Sequence, residues 1–561
     1  MNQRFFIALV LTAIVIVGTP LLFPGVRRTA TPSVTQAADS QRVRATPATT
    51  NSPAVGVPTT GSSSVAGFHR AVGDSILLKT PVSGFTFRDM GATIGSVQLD
   101  SFISRRPNAN RAHVELLGKG DQLASYVLIL DKDSLALDSV AFQPVVTHGE
   151  KGEEVRFSAS VGARAVSIVY TLGRTAGDAY LTHATVSVSP APGKGKVIIG
   201  LPRTLNSNEP DTLDDANHLA ISYRPAHGDV KSTGFSKLDT AETTGDAVPL
   251  NWVALRNKYF LIALRAPVAP FTQVRMMGLP RVGKMASRAE SDVTLPISAD
   301  GSAAFDIYAG PQDFERLQRL GGDLEQVNPY AGLLHGVVQP FATIVMRALL
   351  WMKRTTQLNY GWVLVLFGII IRLALWPLNQ SAMRTSIKMQ RLQPELQAVQ
   401  KKHADDPQKQ QAAIMKVYKD HGMSPLSPLM GCLPMLLPMP ILFALYYVFQ
   451  NTIEFRGVPF LWLPDISLRD PYFITPLLMG ASMYAMSWIS MRNSPPNPQA
   501  KMMSYMMPVV MTAVFFNFAS GLNMYYAVQN IAAIPQQWFL ARERGSSATE
   551  GSVAVASRRS T

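Results

Sequence analysis

The chain has 561 residues, of which 47% are hydrophobic and 16% charged. Soluble domains carry about 25% charged residues, so part of this chain is built for surroundings other than water. The formal charge of +14 is uneven: residues 27–325 hold 31 Lys and Arg against 29 Asp and Glu, while residues 326–561 hold 20 against 9. A basic excess confined to the apolar half points to membrane orientation before it points to nucleic acid. Cys432 is the single cysteine, which excludes an intrachain disulfide, and no Cys/His cluster has metal-ligand spacing. No cofactor, no metal, no covalent chemistry and no DNA partner is expected.

The first 26 residues read as a transmembrane anchor. Arg4 precedes an apolar run from Phe5 to Phe23, near the ~20 residues a helix needs to cross a bilayer. Pro20 to Pro24 occupy the place of a small-residue cleavage site, so the segment is expected to stay attached, with its N-terminus in the cytoplasm. Residues 27–66, rich in Ala, Thr, Ser, Pro and Val, read as a flexible linker.

Residues 67–325 change texture. Short runs such as Ser125–Leu130, Ala165–Tyr170, Ala184–Ser189 and Tyr259–Leu264 are rich in β-branched and aromatic residues and bounded by Gly, Pro, Asp and Asn. They predict a large all-β domain of two packed sheets, closed by a polar helix over Pro311–Glu325. Asp211, Asp214 and Asp215 form an acidic cluster that reads as a solvated loop rather than a calcium site. Residues 326–358 contain apolar positions interleaved with Gln339, Arg347, Lys353 and Arg354, and Pro340 argues against a clean span. An amphipathic helix on the membrane surface fits.

Five apolar runs follow within residues 359–541: Tyr360–Leu378, Leu429–Gln450, Tyr472–Met491, Met502–Phe518 and Asn523–Leu540. With the anchor they make six predicted transmembrane helices. Loop charge sets their direction. Residues 379–428 carry eight Lys and Arg and read as a charged cytoplasmic hairpin of two amphipathic helices turning at Ala404–Pro407. Residues 451–471 carry only Arg456 and Arg469 and fall outside; Arg492 and Lys501 bound an inner loop; residues 542–561 form a basic inner tail. Both termini are therefore expected in the cytoplasm.

Arg372 is the only charged residue within the five runs. It lies five residues inside Pro377, about 7–8 Å at 1.5 Å per residue. A charge at that depth is costly unless it reaches water or a partner. Two readings compete: snorkelling to the headgroups, or facing a wet cavity where a fixed charge meets polar parts of a passenger. Asn523, Tyr526 and Asn530 share one helical face, with Gln529 beside it; they either bond neighbouring helices or line a polar groove. Pro434, Pro438 and Pro440 free backbone carbonyls in the second run. Methionines such as Met439 suit a surface that accepts many partners.

Several stretches together resemble the YidC/Oxa/Alb membrane-insertase family: Ile369–Arg372 with Trp376–Leu378, Gly431–Pro434 with Met439–Pro440 and Ala444–Tyr447, Asp470–Tyr472 with Leu477–Gly480, and Ser520–Leu522 with Tyr525–Tyr526. The resemblance implies a non-enzymatic insertase and chaperone of the bacterial inner membrane, with a periplasmic β super-sandwich. It implies a hydrophilic groove, open to the cytoplasm and to lipid, around Arg372. Passengers would slide past Met439, Pro440 and Tyr526, with Gln529 and Asn530 nearby. The implied partners are nascent membrane proteins, membrane lipids, the Sec translocon with its accessory subunits, and the ribosome, met through the hairpin and basic tail. The chain departs from the family pattern at Pro438 and Gly368, where relatives often carry polar and hydroxyl side chains. A transporter or channel would instead predict charges on several spans and internal repeats, and neither is present. A membrane-anchored, mutarotase-like sugar-binding enzyme would leave five spans without a task.

Overall fold

The computed structural model describes residues 75–559, except 108, 132, 150–151, 174, 176, 241–244, 281–286, 329–334, 378, 381–391, 393–394, 397, 404–405, 422–438 and 492–497. The expected anchor and linker lie outside the described residues, as do Leu429–Pro438 of the second apolar run and the side chains of Met439 and Pro440.

Eighteen described strands run from Ser75 to Pro311. Strands β1 (Ser75–Lys79), β2 (Ser83–Arg88), β3 (Ile94–Ile103) and β4 (His113–Glu115) form one sheet. Nine others form a second sheet that includes β8 (Gly152–Val161), β9 (Arg164–Leu172), β10 (Leu181–Ser189), β15 (Phe260–Arg265) and β18 (Ser302–Pro311); the third, of five, includes β5 (Ser125–Leu130). The expectation of two sheets thus becomes three, arranged in two layers. Tyr170 of β9 explains the arrangement: its ring meets Phe87 of β2 at 4.9 Å, and its hydroxyl lies 2.6 Å from that of Tyr126 on β5. Both small sheets therefore cover one face of the large sheet. Alternation along β9 buries Val166, Ile168, Tyr170 and Leu172, the period-two pattern of a strand with one core face.

The acidic cluster is solvated in part only: Asp211 is exposed, Asp214 half-buried and Asp215 buried. Asp211 caps α1 (Thr212–Asn217) by accepting from the Asp214 N–H at 2.9 Å, Asp214 takes the Lys258 ammonium at 2.7 Å, and buried Asp215 accepts from the Lys258 N–H at 3.1 Å. Each acid has a partner, and buried Asp215 is the one that needs it, because an unpaired buried carboxylate is costly.

After β18, Asp313 caps α2 (Phe314–Leu320). Within residues 326–358 the chain forms α3 (His335–Thr356), which buries Val338, Ala342, Val345, Leu349 and Met352 and exposes Ile344 and Trp351. It bends by 118° into α4 (Tyr360–Ala374). Asp406 caps α5 (Pro407–Asp420), and Gln410 donates to the Gln400 carbonyl while His421 faces Glu395, closing a hairpin in the polar loop. The remaining helices are α6 (Met439–Asn451), α7 (Ile474–Met491), α8 (Pro498–Phe515) and α9 (Ser520–Arg559). Among the described residues no single helix is long and apolar enough to cross a membrane; the bent α3–α4 pair reaches that length and apolarity together.

The loop between α6 and α7 joins the helices to the β domain. Arg456 lies 2.6 Å from Glu209, both side chains under a tenth exposed, and donates to the carbonyls of Ile103 and Asn208. Arg105 pairs with Asp465, and Arg354 with Glu315. Gly457 adopts φ +78 with the Arg105 guanidinium where a Cβ would stand, so only glycine fits both the turn and the contact. The Arg456→Ala variant leaves Glu209 buried and unpaired and loses about 3–5 kcal/mol of folding stability. Arg456→Met with Glu209→Leu recovers most of it. Denaturant unfolding in detergent measures both, and equal losses in the two variants defeat this account.

Glu454 in the same loop is half-buried beside the start of α2, and its Oε2 is shut off from solvent with no hydrogen-bond partner among the described residues. Burial pushes its carboxyl from 4.5 up to about 8, and the nearby Asp313 carboxylate adds to the rise. The folded state therefore holds a proton the unfolded state releases. The resulting stability is complete below about pH 4.5 and is lost as pH rises through 8. Glu454→Gln, which keeps the neutral shape, is expected to flatten the fall in thermal midpoint between pH 5 and 9; each unit of raised pKa is worth about 1.4 kcal/mol. Identical slopes for both proteins rule the coupling out.

Candidate functional site

Arg372 sits in the last turn of α4. Gly361, Leu364 and Gly368 are buried on the side of the helix that carries it, whereas Trp362, Ile369, Ile370 and Leu373 are exposed. The i, i+3, i+4 and i+7 spacing of a helix therefore turns Arg372 toward the bundle, not outward. Its Nη2 donates to Gln536 Oε1 at 2.7 Å, and its Nε is buried with no partner among the described residues.

α9 supplies the other wall. Gln529 Nε2 donates to the Tyr525 hydroxyl at 2.6 Å and to the Gly368 carbonyl at 3.4 Å. Gln536 Nε2 donates to the Trp376 carbonyl at 3.1 Å. Later residues of α4 meet later residues of α9, so the two helices run parallel. At Gly368 an added Cβ would lie 3.3 Å from Val528 and 3.5 Å from Tyr525. The absent side chain is what lets α9 approach.

The predicted stripe of Asn523, Tyr526 and Asn530 faces a different seam. Asn523 donates to the Phe515 carbonyl at the end of α8 at 3.1 Å, the Tyr526 ring stands edge-on to Phe515 at 5.6 Å, and Asn530 donates to Ser482 of α7 at 3.1 Å. The Tyr526 hydroxyl is buried without a partner among the described residues. Of the expected site residues, Arg372 and Gln529 thus share the α4–α9 seam. Tyr526 and Asn530 lie on the α7–α8 side of α9. Met439 and Pro440 open α6, which packs on α3 and α9.

Gln536 escaped the sequence reading, although it lies seven residues after Gln529, two helical turns on the same face. Among the described residues no group of three or more His, Cys, Asp or Glu could hold a metal ion.

Polarity across the bundle is inverted relative to a soluble one. Asn523, Ser482 and Gln536 are buried, while Leu477, Leu478, Trp488, Met503, Met506, Val509 and Phe539 are exposed. Apolar side chains spread over the outside of several helices mark a surface that something apolar covers.

Two family models cover most of the chain. That of the YidC periplasmic domain matches residues 75–344, and that of the 60Kd inner membrane protein matches residues 351–547. The membrane protein insertase YidC of Bordetella petrii is 30% identical over 94% of this chain and 93% of its own length. That of Azotobacter vinelandii is 30% identical over 67% and 66%. A crystal structure of an active YidC insertase with its first transmembrane domain resolved aligns with 82% of this chain and 92% of its own at 21% identity and a TM-score of 0.32, too loose to bear on the site. The two family models and the near full-length relative agree along the whole described chain: it belongs to the YidC family of membrane protein insertases, inner-membrane proteins with a periplasmic β domain.

Proposed function

We propose that the chain inserts and folds other membrane proteins through a hydrophilic groove, open to the cytoplasm and to lipid, built around Arg372. The observation that carries the reading is a guanidinium turned into an apolar bundle and met, among the described residues, only by a neutral amide. A fixed, uncancelled charge in a low-dielectric seam attracts polar and acidic groups far more strongly than the same charge in water. It lowers the cost of bringing a hydrophilic passenger segment partway across. The passenger's apolar stretch then leaves sideways into lipid, driven by burial of its own surface. Gln529 shares the Arg372 seam; Tyr526 and Asn530, on the α7–α8 side of α9, and Met439 and Pro440 at the start of α6 are assigned to the path along which the passenger leaves. No nucleotide and no covalent step enters this scheme.

In this reading residues 1–26 anchor the chain, 27–66 tether a periplasmic domain over 67–325, residues 326–358 lie on the membrane surface, and 359–541 form the five-helix core. Together these make six spans with both termini in the cytoplasm. Three features support the spans: the exposed apolar band, the parallel course of α4 and α9, and loop charge. α7 and α8 have 18 residues each, about 27 Å at 1.5 Å per residue, so local thinning of a ~30 Å hydrocarbon layer follows. The hairpin at 379–428 and the basic tail from 542 are assigned to ribosome contact. The Sec translocon with its accessory subunits is assigned as a partner for larger passengers.

Liposomes holding only this protein are expected to insert a small two-span substrate, scored by protease protection. Arg372→Lys keeps the charge and retains insertion; Arg372→Ala loses it by roughly tenfold or more, the size of one hydrogen bond to a charged group. Insertion by Arg372→Ala at the wild-type rate removes Arg372 from the mechanism. Protection no higher than in empty liposomes refutes autonomous insertion. Topology is checked separately in a Cys432→Ser background. A membrane-impermeant maleimide added to intact cells with a permeable outer membrane labels Arg469→Cys and spares Lys409→Cys. The reverse pattern inverts the assigned topology.

A further inference from the structure

Gln536 is 2% exposed and uses both ends of its amide on one neighbour. Its Oε1 accepts from Arg372 Nη2 at 2.7 Å, and its Nε2 donates to the Trp376 carbonyl, one turn beyond Arg372, at 3.1 Å. A guanidinium can only donate and a carbonyl can only accept. Turning the amide over would set donor against donor and acceptor against acceptor, so the chemistry of the two partners fixes its orientation. The bond uses one Nη2 N–H of the guanidinium; Nε is buried without a partner among the described residues.

We propose that Gln536 is the positioning residue for Arg372, a neutral clamp that aims the guanidinium along the α4–α9 seam without cancelling its charge. The proposal rests on the reading of Arg372 as the working charge of the groove. Other side chains of similar reach fail in distinct ways. An ionised glutamate would bond Arg372, neutralise it, and turn an acceptor toward the Trp376 carbonyl. A leucine would fill the volume and hold nothing, leaving a four-torsion side chain free to leave the seam. An asparagine would fall one methylene short of both partners. Of these, only the amide of glutamine both fixes the cation and leaves its field intact for an incoming acceptor. The unused N–H groups of Arg372 are then available to carbonyl or carboxylate oxygens of a passenger, which Gln536 does not recognise itself.

The test uses the full chain in liposomes with a two-span substrate whose translocated loop is acidic. Wild type is compared with Gln536→Leu, Gln536→Glu, Arg372→Ala and the Arg372→Ala/Gln536→Leu double variant, and thermal midpoints in detergent are followed in parallel. Gln536→Leu and Gln536→Glu are each expected to slow insertion about tenfold, the value of one charge-assisted hydrogen bond. Gln536→Glu gains an ion pair with Arg372 and loses the bond to the Trp376 carbonyl, so it should stay folded, with a thermal midpoint no lower than that of Gln536→Leu. The double variant should be no slower than Arg372→Ala alone. Full activity in Gln536→Glu means that Gln536 merely ties two helices together and overturns the proposal. So does a loss in the double variant that multiplies the two single losses, because Gln536 then acts apart from Arg372. If Gln536→Leu does not fold, the Gln536→Glu arm decides alone. Wild-type insertion by Arg372→Ala defeats the groove reading itself, an outcome distinct from a normal Gln536→Glu beside an inactive Arg372→Ala.

Discussion

The bond between Arg372 and Gln536 constrains the helices around it. For the amide to reach both the guanidinium and the Trp376 carbonyl, α9 must run parallel to α4 and close to it. Gly368 permits the approach by leaving space that Val528 and Tyr525 fill. The start of α9 is fixed in turn. The first N–H groups of a helix have no partner within it, and those of Ser520 and Gly521 donate to the carbonyls of Leu468 and Ile466 at 2.7 and 2.9 Å. That acceptor segment belongs to the loop that Arg105 and Arg456 hold against the β domain through Asp465 and Glu209. A chain of contacts therefore runs from the periplasmic sheets to the depth of α9 at which Gln536 sits.

Two halves of one chain follow opposite rules of polarity for one reason. In the β domain, Phe85, Phe87, Phe157 and Tyr170 leave water and cluster between the layers, the usual consequence of apolar burial. In the helices the outward positions are apolar and the inward ones include Asn523, Ser482 and Gln536. Polar side chains gain by turning inward when the outside cannot hydrogen-bond. The two regimes meet in the loop from Thr452 to Asp470, where Arg456, Asp465 and Asp470 are each used in hydrogen bonds. Charge pairing at this junction is backed by apolar contact, since Ile453 enters the β-domain core and the Arg456 guanidinium lies over the Phe260 ring at 5.4 Å.

Much of this was legible in the residues. Period-two alternation located β5, and it placed the runs at Ala165 and Ala184 inside β9 and β10. The apolar runs at Tyr360 and Tyr472 became α4 and α7. The division of one layer into two sheets was not legible, because alternation reports a buried face and not which strand lies beside which. The solvated reading of the acidic cluster holds for Asp211 and fails for Asp214 and Asp215, because their partner, Lys258, lies more than forty residues on. Arg105 and Arg456 look like ordinary loop charges for the same reason: their acceptors are hundreds of positions away. At the site, Arg372 stood out as an isolated charge. The stripe from Asn523 drew attention to the α7–α8 side of α9, while Tyr525, Gln529 and Gln536, on the side that meets Arg372, are spread over about three turns with an apolar stretch between the glutamines and do not stand out as a pattern.

A site held this way has a particular kind of selectivity. Recognition of one partner requires donors and acceptors matched in number and place, and it penalises any partner that leaves one unpaired. Arg372 brings five N–H donors and Gln536 occupies one of them. In the proposed groove a passenger's carbonyl or carboxylate oxygen would meet the Nη N–H groups left over, and no fixed acceptor pattern would be demanded of it. An ion pair at the same place would be closed, since its field would end at the partner. Leaving the cation held but uncancelled costs folding stability, and the packing of α9 against α4 and α7 offsets that cost. An insertase that must admit many unrelated sequences has a physical reason to carry such an amide where a carboxylate would bind more tightly.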